Sequence, residues 1–203
     1  AEDLASLERL AFWILQRIAP IVAVGLIVDP QAWDAAFLDY DYIGAPWPHR
    51  SQPVGNGGFS LRSRRLIDAL QDADIRKTQP EDHVICLDYH DLLVARHGIR
   101  FAPVELARRF AFELTPPDGP VFGFHGFFNF HLALPDPELL SYLAGVERSV
   151  LFSMPARRLL KNLIDAGRHE PARLILDVRA GGNFKQRLDA FKLRCRLALR
   201  RLR

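Results

Sequence analysis

The sequence predicts an α/β domain followed by a helical extension. Short apolar runs, rich in β-branched and aromatic residues, alternate with segments of helical periodicity through the first two thirds of the chain. From Pro135 onward only helical periodicity remains. The charge also divides, because residues 157–203 hold 14 Lys and Arg against 4 Asp and Glu, whereas residues 1–156 hold 13 against 20. We therefore predict an α/β domain over residues 1–134 and a basic helical extension over residues 135–203.

The composition is that of a globular protein. With 203 residues, 49% of them apolar, the chain can bury a core. No apolar run approaches the ~18 residues that a transmembrane helix needs. Cys86 and Cys195 both lie in apolar surroundings, which predicts reduced, buried thiols and a cytoplasmic location. The chain begins without Met or a signal pattern, so we expect it to be part of a longer protein or a processed form.

The first elements follow from their hydrophobic periodicity. Leu4–Ile18 places its apolar residues on one helical face, which predicts an amphipathic helix. Ile21–Val28 is rich in β-branched residues and predicts a buried strand. Residues 33–38 predict a short helix, and Tyr40–Ile43 predicts the next strand.

A glycine turn comes next and is the least ordinary part of the sequence. Three of the four residues 55–58 are glycines, which favours positive φ or the close approach of a ligand to the main chain. Ser60 or Ser63 is the predicted N-cap of a helix that ends near Leu70. A helix N-terminus and the arginines that follow the turn together favour a bound anion.

Downstream, residues 71–80 are polar and irregular, and helical spacing predicts a helix over Glu81–Arg96. Residues 97–101 predict a turn and then a strand, and residues 102–112 predict another helix. A proline and glycine turn over residues 116–120 precedes an alternation of glycine with aromatic residues.

The extension is predicted to be entirely helical, over residues 137–146, 155–164, 171–178 and 184–203. The last of these helices is strongly basic, and one of its stripes is apolar. Packing of this stripe on the protein, with the basic face in solvent, is the simplest interpretation. A protein partner, nucleic acid or an anionic membrane surface are the alternatives. The predicted stripe consists of Leu188, Phe191, Cys195, Ala198 and Leu202.

Several motifs in order resemble the glycosyltransferase-like family known as domain of unknown function 5672. The motifs are DYIGAPW, GNGGFSLRS, PEDHVIC, HGIRFAPVELARRFAFE and FGFHG, and the resemblance covers roughly Phe12 to His131. A Gly-Gly turn followed about twenty residues later by Glu-Asp is more distantly similar to the β1,3-glycosyltransferases of the GT-A fold. The resemblance therefore implies a GT-A-like, Rossmann-like mixed sheet flanked by helices, and transfer of a sugar from a nucleotide-sugar donor to a hydroxyl acceptor, with inversion at the anomeric carbon.

The Glu-Asp pair has two interpretations. Glu81 and Asp82 lie in the first turn of a predicted helix, where the helix dipole alone favours carboxylates. By resemblance they lie at the acceptor side of the site, where Asp82 would take the proton of the attacking hydroxyl and Glu81 would orient the acceptor.

The resemblance also implies a divalent metal, Mn²⁺ or Mg²⁺, but the chain departs from the family at this point. The family has a Gln-x-Asp-Gly segment after the first strand, and here Val28 passes directly to Asp29, so the domain is expected to be incomplete at its N-terminal end. Asp29 stands at the position of the metal carboxylate but also fits an N-cap before Pro30. His125 resembles the late histidine that binds the metal or diphosphate, or it is a satisfied core histidine.

Two further alternatives concern residues near the turn. Asp39 and Asp41 form an Asp-x-Asp pattern that fits either metal ligands or two solvated carboxylates at the start of a strand. Trp47 fits either a platform that stacks on sugar or base, or a core tryptophan. The residues expected to bind substrate are Trp47, Gly55, Asn56, Gly57, Gly58, Phe59, Ser60, Arg62, Phe127 and Asn129.

These observations lead to three hypotheses for the function. The first is a glycosyltransferase with a nucleotide-sugar donor and a glycan or other hydroxyl acceptor. The second is an inactive relative that binds carbohydrate or acts as a scaffold, because the expected metal segment is missing and a diphosphate leaving group needs a cation. The third is an anion or nucleic-acid binder that acts through the basic extension, although no recognition motif is present there.

Overall fold

The computed structural model describes residues 25–50 and 52–200, and these form two compact units. One unit comprises residues 25–129 and contains all five strands, and the other comprises residues 130–200 and is helical. The predicted helix over Leu4–Ile18 and most of the predicted strand over Ile21–Val28 lie outside the described residues. Within the described part of the chain, no helix is both long and apolar enough to cross a membrane.

The first unit is built on two small sheets. A three-stranded sheet has its last strand in the centre, paired antiparallel with the first strand and parallel with the fourth. A second, two-stranded sheet is antiparallel. The mixed α/β organisation predicted from the sequence is thus confirmed for this unit. The strands are β1 (Gly25–Ile27), β2 (Tyr42–Gly44), β3 (Ser60–Arg62), β4 (Ala111–Phe112) and β5 (Gly123–His125).

Short helices and turns connect these strands. Tight 3₁₀ turns cover Pro30–Ala32, Ala35–Asp39 and Phe127–Asn129, and the helices are α1 (Arg64–Ala69), α2 (Glu81–His83), α3 (His90–His97) and α4 (Val104–Phe110), with a π turn over Val84–Asp88 between α2 and α3. The Ser63 alternative for the N-cap of α1 is confirmed, because its Oγ accepts a hydrogen bond from the N–H of Leu66 at 3.0 Å. Gly98 ends α3 with a φ of 62°.

Two predicted elements of this unit differ from the structure: a predicted strand is absent, and a predicted helix ends earlier. Residues 99–101 do not form a strand, and only Phe101 makes an isolated bridge, to Tyr42. The predicted helix over residues 102–112 ends at Phe110, because Ala111 adopts extended geometry and pairs with Gly123 of β5. Strand pairing, which is non-local, therefore overrides a helical pattern at this point.

The two carboxylates of the Asp-x-Asp pattern have different surroundings. Asp41 is buried and holds three segments together, since Oδ1 accepts from the Ser63 hydroxyl at 2.6 Å and Oδ2 accepts from the N–H of Arg100 at 2.9 Å. Asp39, in contrast, is exposed. Asp41 is thus a structural residue whose oxygens are satisfied within the protein.

The second unit consists of six helices. They are α5 (Phe130–Ala133), α6 (Asp136–Gly145), α7 (Arg148–Leu151), α8 (Met154–Asp165), α9 (His169–Ala180) and α10 (Phe184–Arg200). Gly167 lies between the predicted helices over residues 155–164 and 171–178, and its φ of 71° marks the break between α8 and α9. Helix α9 begins two residues before the predicted start at Pro171. Ser153 caps α8 by accepting from the N–H of Ala156.

Helix α10 packs through a different face from the predicted one. Its buried residues are Ala190, Leu193 and Leu197. The predicted stripe is therefore wrong, because its described members, including Phe191 and Cys195, are exposed. The expectation of two buried thiols holds only for Cys86.

An inward-facing carboxylate fixes this rotation of α10. Asp189 binds Arg157 of α8 in a two-point contact, with Nη2 to Oδ1 at 2.6 Å and Nε to Oδ2 at 2.8 Å. Arg179 of α9 is buried and contacts the same carboxylate at 3.3 Å. Because Asp189 is next to Ala190 in sequence, these ion pairs turn the adjoining apolar face of α10 toward α8 and α9.

We expect acid to weaken the α/β unit at Asp72. The N–H of Asp74, the imidazole of His97 and the guanidinium of Arg96 lower the pKa of Asp72 from 3.8 to about 2. A carboxyl whose pKa is lower in the folded state stabilises the fold above its unfolded pKa. The difference in unfolding free energy between wild type and Asp72→Asn should therefore be largest above about pH 4 and shrink as the pH falls toward 2. Urea titrations at several pH values measure this difference in unfolding free energy. A difference that does not change with pH would contradict the prediction.

Candidate functional site

The glycine turn is closely approached by two polar side chains from distant parts of the chain. A Cβ on Gly57 would overlap the carboxylate of Glu81, and a Cβ on Gly58 would overlap Nε2 of His125. The Cα atoms of neighbouring residues are about 3.8 Å apart, so the two side chains border the same short stretch of main chain. The structure thus brings together the glycine turn, Glu81 and His125, which the sequence singled out separately.

Glu81 is fixed at the turn by an ion pair. Its Oε1 lies 3.1 Å from Nη2 of Arg62, whose Nε donates to the Ser60 hydroxyl at 3.2 Å. The Ser60 hydroxyl in turn donates to the carbonyl of Gly57 at 3.2 Å. Arg62 therefore connects β3, the turn and the start of α2, which is a different role from the anion binding expected of it.

The other two arginines of this region also contact protein groups. Arg64 pairs with Asp68 at 2.8 Å, and Arg65 donates to the carbonyl of His97. The N-terminus of α1 is already satisfied by Ser63. The arginine side chains of the predicted anion site, and one N–H of this helix terminus, thus bind protein groups.

Glu113, which the sequence did not identify, joins His125 to the glycine turn. Its Oε1 lies 3.2 Å from Nδ1 of His125, and its Oε2 accepts a hydrogen bond from the side-chain amide of Asn56. Both partners of the Glu113–His125 pair are largely buried. Asn56 has a φ of 62°, and its Oδ1 accepts from the N–H of Gly58 at 3.2 Å. One carboxylate thus positions both the imidazole and the turn that faces it.

The pairing of two parallel strands explains this geometry. Phe112 of β4 is in register with Phe124 of β5, so the residues that follow them, Glu113 and His125, lie side by side. The sequence signal was a glutamate directly after a short apolar segment. The helical pattern over residues 102–112 conceals this strand, so the sequence alone does not indicate Glu113 as a site residue.

Asn129 and Phe127 have structural positions. The side-chain amide of Asn129 donates to the carbonyls of Glu113 and His125, both at 2.7 Å, and thereby ties the ends of β4 and β5 together. Phe127 is buried. Neither side chain is open to an acceptor, so their predicted place in an acceptor cleft is replaced by support of the Glu113–His125 pair.

Trp47 and Phe59 explain other glycines of the site. Trp47 is 6% exposed, and its ring lies where a Cβ on Gly55 would be. The ring of Phe59 similarly occupies the space beside Gly123 of β5. Trp47 therefore belongs to the core, which was one of its two interpretations, and its indole covers the turn from inside.

Asp82 contacts the main chain of the residue that follows it. Its Oδ1 accepts from the N–H of His83 at 2.9 Å. Two buried residues are affected by the charge of Asp82. Burial raises the pKa of Tyr42 well above its usual value and raises the pKa of Cys86 to about 12, and the negative charge of Asp82 adds to both shifts. This shift favours the neutral thiol of Cys86 over the thiolate, which is the nucleophilic form of cysteine.

The two predicted metal ligands are not brought together. Gly25 is opposite His125, whereas Asp29 follows the other end of β1, where its N–H donates to Phe122 at 3.3 Å. Four residues of extended chain correspond to about 13 Å. Asp29 caps the turn that begins at Pro30, with Oδ1 accepting from Gln31 at 2.9 Å. Within residues 25–50 and 52–200, no three His, Cys, Asp or Glu side chains form a metal-binding group.

A cavity of about 240 Å³ lies beside Glu113. Trp47 and a series of prolines form its apolar wall, and the exposed side chains of Arg50 and Arg108 supply positive charge. Asp118 also lines the cavity. An apolar wall with a few convergent charged groups is typical of a small-ligand site, and the arginines favour an anionic ligand.

Replacing Gly58 with alanine tests the close approach. The new Cβ would overlap Nε2 of His125, so the imidazole must leave its contact with Glu113, and we expect a loss of about 1–3 kcal/mol in unfolding free energy. The ring nitrogen chemical shifts of His125 should change as well. Gly119→Ala is the matched control, because nothing lies within 4 Å of a Cβ there. Unchanged His125 signals in Gly58→Ala would contradict the geometry.

Comparison with known proteins gives one match. Residues 25–125 match the model of a family described as a protein of unknown function, DUF5672. No curated protein and no solved structure has a significant match to the chain. The matched segment begins with β1, includes the glycine turn, Glu81 and Glu113, and ends at His125. The resemblance seen in the sequence motifs is thereby confirmed at the level of the family. Residues 25–125, just under half of the chain, are therefore similar to the DUF5672 family.

Proposed function

We propose that the α/β unit is a GT-A-like glycosyltransferase that moves a sugar from a nucleotide-sugar donor to a hydroxyl acceptor. The observation that carries this proposal is the close approach of two ionisable side chains to adjacent glycines, Glu81 to Gly57 and His125 to Gly58. Because the glycines have no side chains, the carboxylate and the imidazole can lie against the turn, and both groups can form hydrogen bonds with the hydroxyls of a sugar. The motif likeness described above supplies the class of donor.

His125 is placed to take up the proton that the reaction releases. In an inverting transfer the acceptor oxygen attacks the anomeric carbon, the bond to the nucleotide diphosphate breaks, and the hydroxyl proton goes to a base. Glu113 contacts Nδ1 of His125, which leaves Nε2, the nitrogen beside Gly58, to accept that proton. The Glu113 carboxylate stabilises the imidazolium that results.

The other charged groups have complementary roles in this proposal. Glu81, held by Arg62 and half exposed, binds a hydroxyl of the acceptor or of the transferred sugar. Arg50 and Arg108 line the cavity beside Glu113 and offset the charge of the departing diphosphate. Binding of Mn²⁺ or Mg²⁺ stays a prediction, and no step above depends on it. Among the described residues, Asp29 and His125 are too far apart to bind the same ion.

A non-catalytic carbohydrate binder is the second candidate. The separation of Asp29 from His125 favours it, because transferases of the GT-A type use a metal ion to hold the diphosphate. In that case the Glu113–His125 pair and Glu81 would bind hydroxyl groups of a glycan by hydrogen bonds.

Calorimetric titration with UDP, GDP and their sugars, each with and without Mn²⁺, tests the proposal. Binding of one nucleotide, followed by transfer to a hydroxyl acceptor, is the expected result. Arg50→Gln and Arg108→Gln should each weaken nucleotide binding by about tenfold, while Arg64→Gln, on the surface of α1, should not. Carbohydrate binding with no nucleotide binding would instead select the second candidate, and binding of neither by folded protein would refute both.

Asp82, the base predicted from the sequence, can be distinguished from His125 by substitution. If His125 is the base, Asp82→Asn retains turnover within a few-fold of wild type. If Asp82 is the base, Asp82→Asn lowers turnover by about 10²-fold while donor binding survives.

A further inference from the structure

The outward face of helix α10 is an apolar stripe on an otherwise cationic surface. Its members recur at intervals of four and three residues, so they lie above one another along the helix. Phe184 is 80% exposed, Phe191 66% and Leu199 65%. This outer stripe consists of Phe184, Leu188, Phe191, Cys195 and Leu199.

The stripe lies opposite the face by which α10 packs. At 100° per residue, the buried residues Leu193 and Leu197 lie about 160–200° from Cys195 at the centre of the stripe. The helix is therefore apolar on two opposite sides, and only one side is covered within the described helical unit. Over 17 residues the stripe extends for about 25 Å.

Cations border the stripe on both sides. Lys185 and Lys192 follow one edge, and Arg187 and Arg194 follow the other, the latter also contacting Asp177 at 2.5 Å. The single acidic residue of the helix, Asp189, is turned inward to Arg157 and Arg179. The exposed half of α10 thus presents bulky apolar side chains between two rows of positive charge.

The charges on both sides of the outer stripe indicate what kind of partner can bind to it. A second copy would place the lysine and arginine rows against identical rows, and like charges at a contact cost several kcal/mol. A partner helix would have to fill the gap left by the small Cys195 between Phe191 and Leu199. An anionic bilayer surface requires no such fit, because acyl chains adapt to side chains of any shape while the headgroups attract the flanking cations.

We propose that the outer stripe of α10 binds the surface of an anionic lipid bilayer. The helix lies in the plane of the membrane, with Phe184, Phe191 and Leu199 among the upper acyl chains and the lysines at the level of the phosphates. This inference rests on the helical unit alone and is independent of the transfer reaction proposed for the α/β unit.

Vesicle flotation of the full chain tests this inference. We expect the protein to float with phosphatidylcholine vesicles that contain about one third phosphatidylglycerol, and to stay in the bottom fraction with phosphatidylcholine alone. Binding should weaken with added salt. Lys185→Gln and Lys192→Gln should each lower the partition coefficient by about fivefold.

A double variant, Phe184→Ser with Phe191→Ser, is expected to lower the partition coefficient by at least tenfold. Leu38→Ser is the matched control, because Leu38 is an apolar residue of similar exposure, 68%, in the other unit. Both variants change exposed residues, so circular dichroism should report normal folding.

Three results would overturn the proposal. One is failure of the wild type to float with the anionic vesicles, and another is equal flotation of wild type and the double phenylalanine variant. The third is a concentration-dependent dimer, or capture by polyglutamate, that the double variant loses while neither protein binds vesicles. That result would assign the stripe to a second copy or to an acidic protein partner.

Discussion

His125→Gln should lower the rate of sugar transfer by at least about 10²-fold while leaving donor binding within a few-fold of wild type. In the proposed reaction this substitution removes the general base, while the cavity beside Glu113 that is proposed to hold the nucleotide is unchanged. Glu113→Gln should lower the rate by at least tenfold, because a neutral amide neither fixes the imidazole nor stabilises its protonated form. Initial rates with a labelled donor, together with calorimetric binding of the nucleotide, measure both effects.

His97→Gln is the control for this comparison. His97 also pairs with a carboxylate, Asp72, at 2.7 Å, and its exposure is similar to that of His125. It lies at the end of α3, away from the glycine turn. Its loss should affect stability and leave the transfer rate unchanged. Equal rate losses in His97→Gln and His125→Gln would mean that the His125 effect comes from destabilisation, and the assignment of the base would fail.

Asp189→Asn should destabilise the helical unit by about 3 kcal/mol and lower its melting temperature by about 12–24 °C. The substitution leaves the positive charge of Arg179, only 4% exposed, without its carboxylate. The guanidinium of Arg157 holds the pKa of Asp189 below its usual range, which shows that the ionised form is stabilised in the folded state. Differential scanning calorimetry of the full chain measures the change.

Asp177→Asn provides the matched control for Asp189. Its carboxylate pairs with Arg194 at 2.5 Å, but it is 72% exposed, and surface pairs of this kind contribute less than about 1 kcal/mol. The Asp177 variant should therefore melt within about 2–4 °C of wild type. Equal melting temperatures of the Asp177 and Asp189 variants would mean that the burial of Arg179 does not increase the contribution of its ion pair to stability.

Local signals allowed several helix boundaries and some residues of the candidate site to be predicted from the sequence. The cap at Ser63 is a local feature, and the helix that follows it, like the predicted helix over residues 155–164, is observed within a residue or two of the predicted place. The glycine turn was identified because its residue types are unusual for packing alone, whereas Glu81 and His125 were identified by the resemblance of their motifs to a known family. These signals need no knowledge of the tertiary contacts.

The predictions that failed depend on contacts between distant residues. Glu113 becomes a site residue only when β4 pairs with β5, eleven residues further along the chain. Helix α10 has apolar residues on two opposite faces, and periodicity alone cannot select the one that packs. The ion pairs of Asp189 with Arg157 and Arg179 make that choice, and no local pattern indicates them.

Asn56 has a consequence for how this domain can vary. Its backbone requires a left-handed conformation, its Oδ1 shapes the turn, and its amide nitrogen contacts Glu113. Glycine would preserve the first property and lose the other two, and aspartate would bring a negative charge against the carboxylate. Three separate demands therefore meet at one position, and few of the twenty amino acids satisfy them all. Diversification of ligand preference is consequently easier in the proline-rich wall of the neighbouring cavity than at the turn itself.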